Sequence, residues 1–198
     1  MQTAYHDAMR QLQDRFDTRR LADRLDENLA REAFTAEDRQ FIESRQLFFL
    51  ATADAQGRPD CSFKGGAPGF VRVIGEGELA FPSYDGNGMF RSLGNVLVNP
   101  AVALLFIDFD SPRRLRVNGI ASIVEDDPLR PQFEGAQLIV RVRAERIFPN
   151  CPRYIPRLAL QEASPYVPRA GYTPPVPKWK RFEAFADVLP HDDPARER

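Results

Sequence analysis

The sequence predicts a mainly β, α+β fold: a closed or half-open antiparallel barrel, with a helical arm before it and a proline-rich tail behind. Three observations carry this. Between residues 47 and 148, short apolar or alternating runs are separated by Gly, Pro, Asp and Asn turns, which is the pattern of a β meander. One helical pattern interrupts that meander, just after a polar loop. About six or seven strands with one inserted helix suit a small barrel better than a flat sheet.

Residues 1–45 are charge-rich and nearly free of Gly and Pro. Leu12, Phe16, Leu21, Leu25 and Leu29 recur at helical spacing and predict two short amphipathic helices. Thr35-Ala-Glu-Asp38 predicts a third, opened by a capping box with Asp in place of Glu and ending near Ser44. Leu47–Ala53 is an apolar run too short for a helix and predicts a buried strand. The turn Asp54–Arg58 returns it along Pro59–Lys64. Gly65–Gly69 turns into a strand Phe70–Ile74, and Gly75–Gly77 turns into Glu78–Phe81. Pro82–Gly88 is a polar loop feeding a helix Met89–Val98, with Met89, Phe90, Leu93 and Leu97 as its apolar stripe and Asn99-Pro100 as its stop. Three further strands follow: Val102–Phe109, Leu115–Val124 and Gln137–Phe148. In the last, Ile139 breaks an otherwise regular alternation. From Pro149 onward prolines exclude long helices and central strands, which predicts a tail wrapped on the barrel or a partner. The expected division is therefore an arm over 1–45, a barrel over 46–160 and a tail over 161–198.

Composition narrows the chemistry. The 198 residues include 27 Lys and Arg against 28 Asp and Glu, a formal charge of −1, so no broad positive field points to nucleic acid or acidic lipid. The two histidines, His6 and His191, lie in polar terminal stretches. The body of the chain therefore offers no Ser-His-Asp triad and no His-rich zinc site. Cys61 and Cys151 have no metal-ligand spacing, and a reducing cytoplasm is expected. No run is long enough to span a bilayer, and the N-terminus carries no basic-then-apolar leader. Side chains this poor in acid–base groups point to a borrowed cofactor.

Four places suit a cofactor. In the loop Pro82–Gly88, Ser83, Tyr84 and Asn87 supply donors, Gly86 and Gly88 free the backbone, and Arg91 adds a fork for phosphate at a helix start. The same loop also suits a plain hairpin-to-helix turn with Asn87 as N-cap. Lys64, one of only three lysines beside 24 arginines, ends a strand before Gly65-Gly66, as a ligand-facing or a surface lysine would. Arg153 and Tyr154 follow Cys151 where a barrel rim would lie. Arg116 and Asn118 share one strand face, and Gly119 allows a bulge there. Trp179 could stack on a ring or anchor the tail.

Taken in order (apolar strand, strand ending in Lys64, Gly-rich turn, polar loop into a short helix, Asn99-Pro100, apolar strand), the sequence resembles the pyridoxamine 5′-phosphate oxidase-like flavoproteins, the FMN-binding split-barrel family. The matching stretches are Leu47–Lys64, Leu79–Phe106, Leu115–Ala121 and Asn150–Ile155. The resemblance implies a six-stranded antiparallel split β-barrel and a cytoplasmic homodimer with FMN at each of two interface sites. It also implies hydride transfer through flavin N5 to or from a small molecule. It places Ser62, Phe63 and Lys64 along the flavin ring, and Pro82, Ser83 and Tyr84 at the ring or ribityl chain. Asn87 and Arg91 fall at the phosphate and Arg116 and Asn118 near the cofactor. Cys151, Arg153 and Tyr154 close the site, from the partner subunit if the barrel pairs. The oxidase itself has a basic pair in the phosphate loop and an Arg-x-His pair near its end. Here those regions read Gly86-Asn-Gly88 and Phe185–Pro190, so a substrate other than pyridoxamine phosphate is expected. The alternative is a non-catalytic flavin- or haem-binding protein on the same barrel.

Overall fold

The computed structural model describes residues 5–196. Seven strands form one antiparallel sheet: β1 Leu47–Ala53, β2 Pro59–Gly65, β3 Arg72–Val73, β4 Glu78–Ser83, β5 Ala101–Asp108, β6 Arg113–Val124 and β7 Leu138–Asn150. Their order across the sheet is β2-β1-β5-β6-β7-β4-β3. The seventh strand, beyond the six the resemblance implies, is β3. It keeps only two residues because Phe70 turns back onto the Ala67 carbonyl before pairing begins.

The sheet is curled. β1 and β4 stand four places apart in the order, about 19 Å in a flat sheet. Yet the rings of Phe48 on β1 and Phe81 on β4 meet edge-on at 4.9 Å between centroids. Phe106 and Phe70 complete the cluster at 5.2 and 5.9 Å from Phe48. No ladder joins β2 or β1 to β4 or β3, so the barrel is split along one seam. Closure there rests on the connection 66–71 between the two edge strands and on side chains, chiefly this buried phenylalanine group.

One helix plugs the interior. It spans Arg91–Val98 and starts two residues later than its apolar spacing predicts. Met89 and Phe90 are exposed, and Phe90 sits as N-cap in the left-handed region at φ 46°. The buried face is Ser92, Leu93 and Val96, not the stripe ending at Leu97, which is 74% exposed. The sheet curls around the 92–93–96 side, and a stripe read from hydropathy alone cannot tell which flank it meets.

Ile139 breaks its strand's alternation because both faces of β7 are covered there. Residues 126–136, which carried no sequence prediction, fold back over the outside of the sheet. Phe133, Ile139 and Ala80 form a second small core under them. Asp127 fixes this flap, accepting two bonds from Arg141 at 2.5 and 3.1 Å. The Arg141 guanidinium holds the Asp127 carboxyl below its usual range.

The N-terminal helices Asp7–Arg15 and Arg19–Leu29 form as their spacing predicts, but neither buries a residue, and Leu12, Phe16, Leu21, Leu25 and Leu29 all remain exposed. The arm is tied down after them. Arg31 exchanges two backbone bonds with Ile147 and forks onto buried Asp38 at 2.5 and 2.9 Å. Asp38 closes the expected capping box with Thr35 at the head of the helix Ala36–Glu43.

Candidate functional site

The split in the barrel opens into a groove of about 450 Å³, in the range of small-molecule sites. Its walls come from both sides of the seam. β2 contributes Asp60, Ser62 and Lys64, the end of β4 and the loop after it contribute Ser83 to Gly88, and the head of the inserted helix contributes Arg91, Ser92 and Leu93. A narrower cleft of about 210 Å³ continues past Phe63, Lys64 and Pro82 to Tyr84.

Strand alternation aims the β2 residues. Asp60, Ser62 and Lys64 are half-buried and point to the helix, while Cys61 and Phe63 face outward. Lys64 Nζ donates to Ser92 Oγ at 3.0 Å. Burial lowers the Lys64 pKa from its ordinary value, and the nearby Asp60 carboxylate opposes that shift. Burial likewise raises the Tyr84 phenol. The strand before the loop runs two residues further than predicted, so Pro82 and Ser83 belong to β4 and pair with Ile139 and Leu138. Asn87 does not cap the helix. Its Oδ1 accepts from the Met89 N–H at 3.1 Å, and Gly88 takes φ 73°, which turns the chain into Phe90. Arg91 is 72% exposed at the rim, with Nε 3.7 Å from Asp60. It is an exposed cation at a helix N-terminus, positioned where an anion could displace the loose carboxylate contact.

Of the residues singled out in the sequence, Ser62, Lys64, Ser83, Tyr84, Asn87 and Arg91 line the groove together, and Phe63 and Pro82 line the adjoining cleft. Arg116 and Asn118 do not join them. They are exposed on the outer face of β6, and so are Cys151, Arg153 and Tyr154 beyond the end of β7. At that end the Arg153 N–H and guanidinium hold the Cys151 thiol below its ordinary pKa. Beside it Arg114 Nε and Asn150 Oδ1 are buried without a partner among the described residues. Sequence reasoning passed over Asp60 and Ser92, although a period-two reading of β2 places Asp60 with Lys64. It also passed over Gln137 and Pro190, which reach the groove from distant parts of the chain.

The model of the family described as pyridoxamine 5′-phosphate oxidase matches residues 34–164. The chain belongs to that family. The match covers the whole barrel and stops short of most of the tail. No curated protein sequence matches the chain. Among solved structures it is similar to HupZ of Group A Streptococcus, at 19% identity over 59% of this chain and 94% of that one, with a TM-score of 0.47. It is also similar to HutZ, the heme storage protein of Vibrio cholerae, at 24% identity over 57% and 91%, with a TM-score of 0.43. A third is named an F420 reductase, at 25% identity over 56% and 91%, with a TM-score of 0.38. Family membership and the seven-stranded antiparallel sheet agree with the split barrel expected from the sequence. Among the described residues no helix is long and apolar enough to cross a membrane.

Proposed function

We propose that this family member is a homodimeric, cytoplasmic FMN-dependent oxidoreductase. The observation that carries the reading is the groove at the barrel seam, where Lys64, Ser83, Tyr84, Asn87 and Arg91 converge from three elements. Their donor set fits a phosphorylated, ring-bearing cofactor. Arg91 and the loop before it would hold the phosphate, while Ser83 and Tyr84 would bond the chain between phosphate and ring. Lys64, kept in place by Ser92, would set a positive charge at the ring edge. When bound, FMN supplies the hydride chemistry that this chain's side chains lack. No histidine lines the groove, which favours flavin over a histidine-ligated haem.

The test is direct. Purified protein should be yellow or take up added FMN at one equivalent per chain. Arg91→Ala should weaken that binding by about 1.5–3 kcal/mol, the value of a charge-assisted hydrogen bond. Fluorescence titration of FMN checks both. Unchanged affinity in folded Arg91→Ala removes Arg91 from the phosphate site. A protein that ignores FMN and takes up haem instead overturns the reading.

The outer sheet face supports pairing with a second copy. Two rows cross five strands on that face: Phe63, Phe49, Leu105, Arg116 and Phe148, and beside them Cys61, Ala51, Ala103, Asn118 and Arg146. Half-buried or exposed side chains occupy every position, with Phe63 61% exposed. This is an apolar patch with a basic margin, suited to a self-complementary interface. It would also bring Arg116 and Asn118, remote from their own groove, to a neighbouring molecule. Leu105→Arg in the middle of the patch should convert a dimer to a monomer, as light scattering after gel filtration would read. A wild type that elutes as a monomer would remove the partner from this proposal.

A further inference from the structure

A second chamber lies behind the groove. It measures about 340 Å³ and shares Tyr84 and Asp85 with the groove as a common wall. Its other walls are Glu134 and Gly135 of the outer flap and a stretch of the tail from Tyr166 to Pro194. Those tail residues lie beyond the family match, which ends at residue 164.

Two properties define what it accepts. The first is shape and surface. Tyr166, Tyr172, Pro174, Pro175 and Val176 present rings and aliphatic carbon, the flat surfaces on which a planar molecule stacks. The second is charge. The lining holds three carboxylates, Asp85, Glu134 and Asp193, against a single ammonium, Lys180. That ammonium is already committed. Lys180 is 5% exposed, and its Nζ donates to Asp85 and to Asp193, each at 2.7 Å. No cation remains in the lining to receive an anion, and an entering carboxylate or phosphate would face uncompensated negative charge.

We propose that this chamber is a second ligand site, and that it binds an uncharged or cationic ring-bearing molecule without phosphate or carboxylate. Binding there does not depend on the flavin reading above. The same lining disfavours pyridoxamine phosphate in the chamber on charge.

A matched pair of dyes tests it on the full-length protein. N-phenyl-1-naphthylamine is neutral, and 8-anilinonaphthalene-1-sulfonate is the same ring system with an anion. The neutral dye should bind at one site per chain with a rise in fluorescence, and the sulfonate at least about tenfold more weakly. Val176→Trp fills the chamber and should abolish neutral-dye binding while leaving FMN affinity unchanged. Tyr166→Ala, at a half-exposed position outside the buried core, should weaken the dye severalfold. Equal binding of the two dyes, or neutral-dye binding that survives both substitutions, overturns the chamber. Wild-type protein that binds the neutral dye in this way but never FMN overturns the flavin reading, while the chamber stands.

Discussion

Phe48→Ala should cost about 3–5 kcal/mol, the range for truncating a buried aromatic. For a domain of this size that is a fall in melting temperature of about 10 °C. Phe48 has no exposed surface and meets three other phenylalanines, one from each of β4 and β5 and one from the turn before β3. Its contact with Phe81 spans the seam, where no backbone bond holds the two walls together. The loss therefore combines the transfer term, the cavity and a weakened closure. Leu97→Ala, on the inserted helix and 74% exposed, should change stability by less than about 0.5 kcal/mol. Thermal denaturation followed by circular dichroism separates the two. A Phe48→Ala protein within about 1 kcal/mol of the wild type would show that the phenylalanine group does not hold the curl.

Gly119→Ala should destabilise by about 3 kcal/mol although it adds one methyl group. Gly119 sits at a bulge in the β6–β7 ladder, where the register jumps between Asn118 and Gly119 and leaves Glu145 unpaired. A Cβ there would collide with the Arg143 carbonyl oxygen and come within 3.0 Å of the Ala144 Cα. Both are backbone atoms in the middle of the longest ladder, so relief requires the strands to separate. Gly94→Ala is the matching control, since a Cβ at Gly94 meets nothing within 4 Å and alanine favours the helix. It should be neutral or stabilising. Soluble yield and chemical denaturation of the two variants check the contrast; a Gly119→Ala protein as stable as Gly94→Ala would mean that the ladder yields at the bulge.

Features were legible in the sequence where their cause is local. The capping box of Thr35 and Asp38 needs only residues three apart, and it forms. The turn from Asp54 to Arg58 needs only Asp54 Oδ1 to accept from the Gln56 and Arg58 N–H groups and Gly57 to take φ 77°. The bulge at Gly119 likewise follows from the residue that permits it. What stayed hidden depends on a distant cover. Ile139 looks like an error in an alternating strand until Phe133 is placed over it. Phe90 fits a helical stripe by spacing, and only the curled sheet shows that no wall stands on its side. The groove divides the same way. Lys64 and the Ser83–Arg91 loop are separate candidates by their residues and neighbours only by the family resemblance, whereas Gln137 and Pro190 arrive through folding alone. Lys180 gives no sign in sequence that it ends between two carboxylates.

The unpaired seam has a consequence for how a ligand enters. In a fully closed barrel, widening the mouth means rupturing main-chain bonds in a cooperative ladder. Here the two lips are edges of one continuous sheet, held by side chains and by the single connection 66–71, so the mouth is sprung like an expansion joint. Widening the mouth then draws on contact energy between side chains and leaves every strand's pairing intact, so a bulky ligand would enter without any part of the framework unfolding.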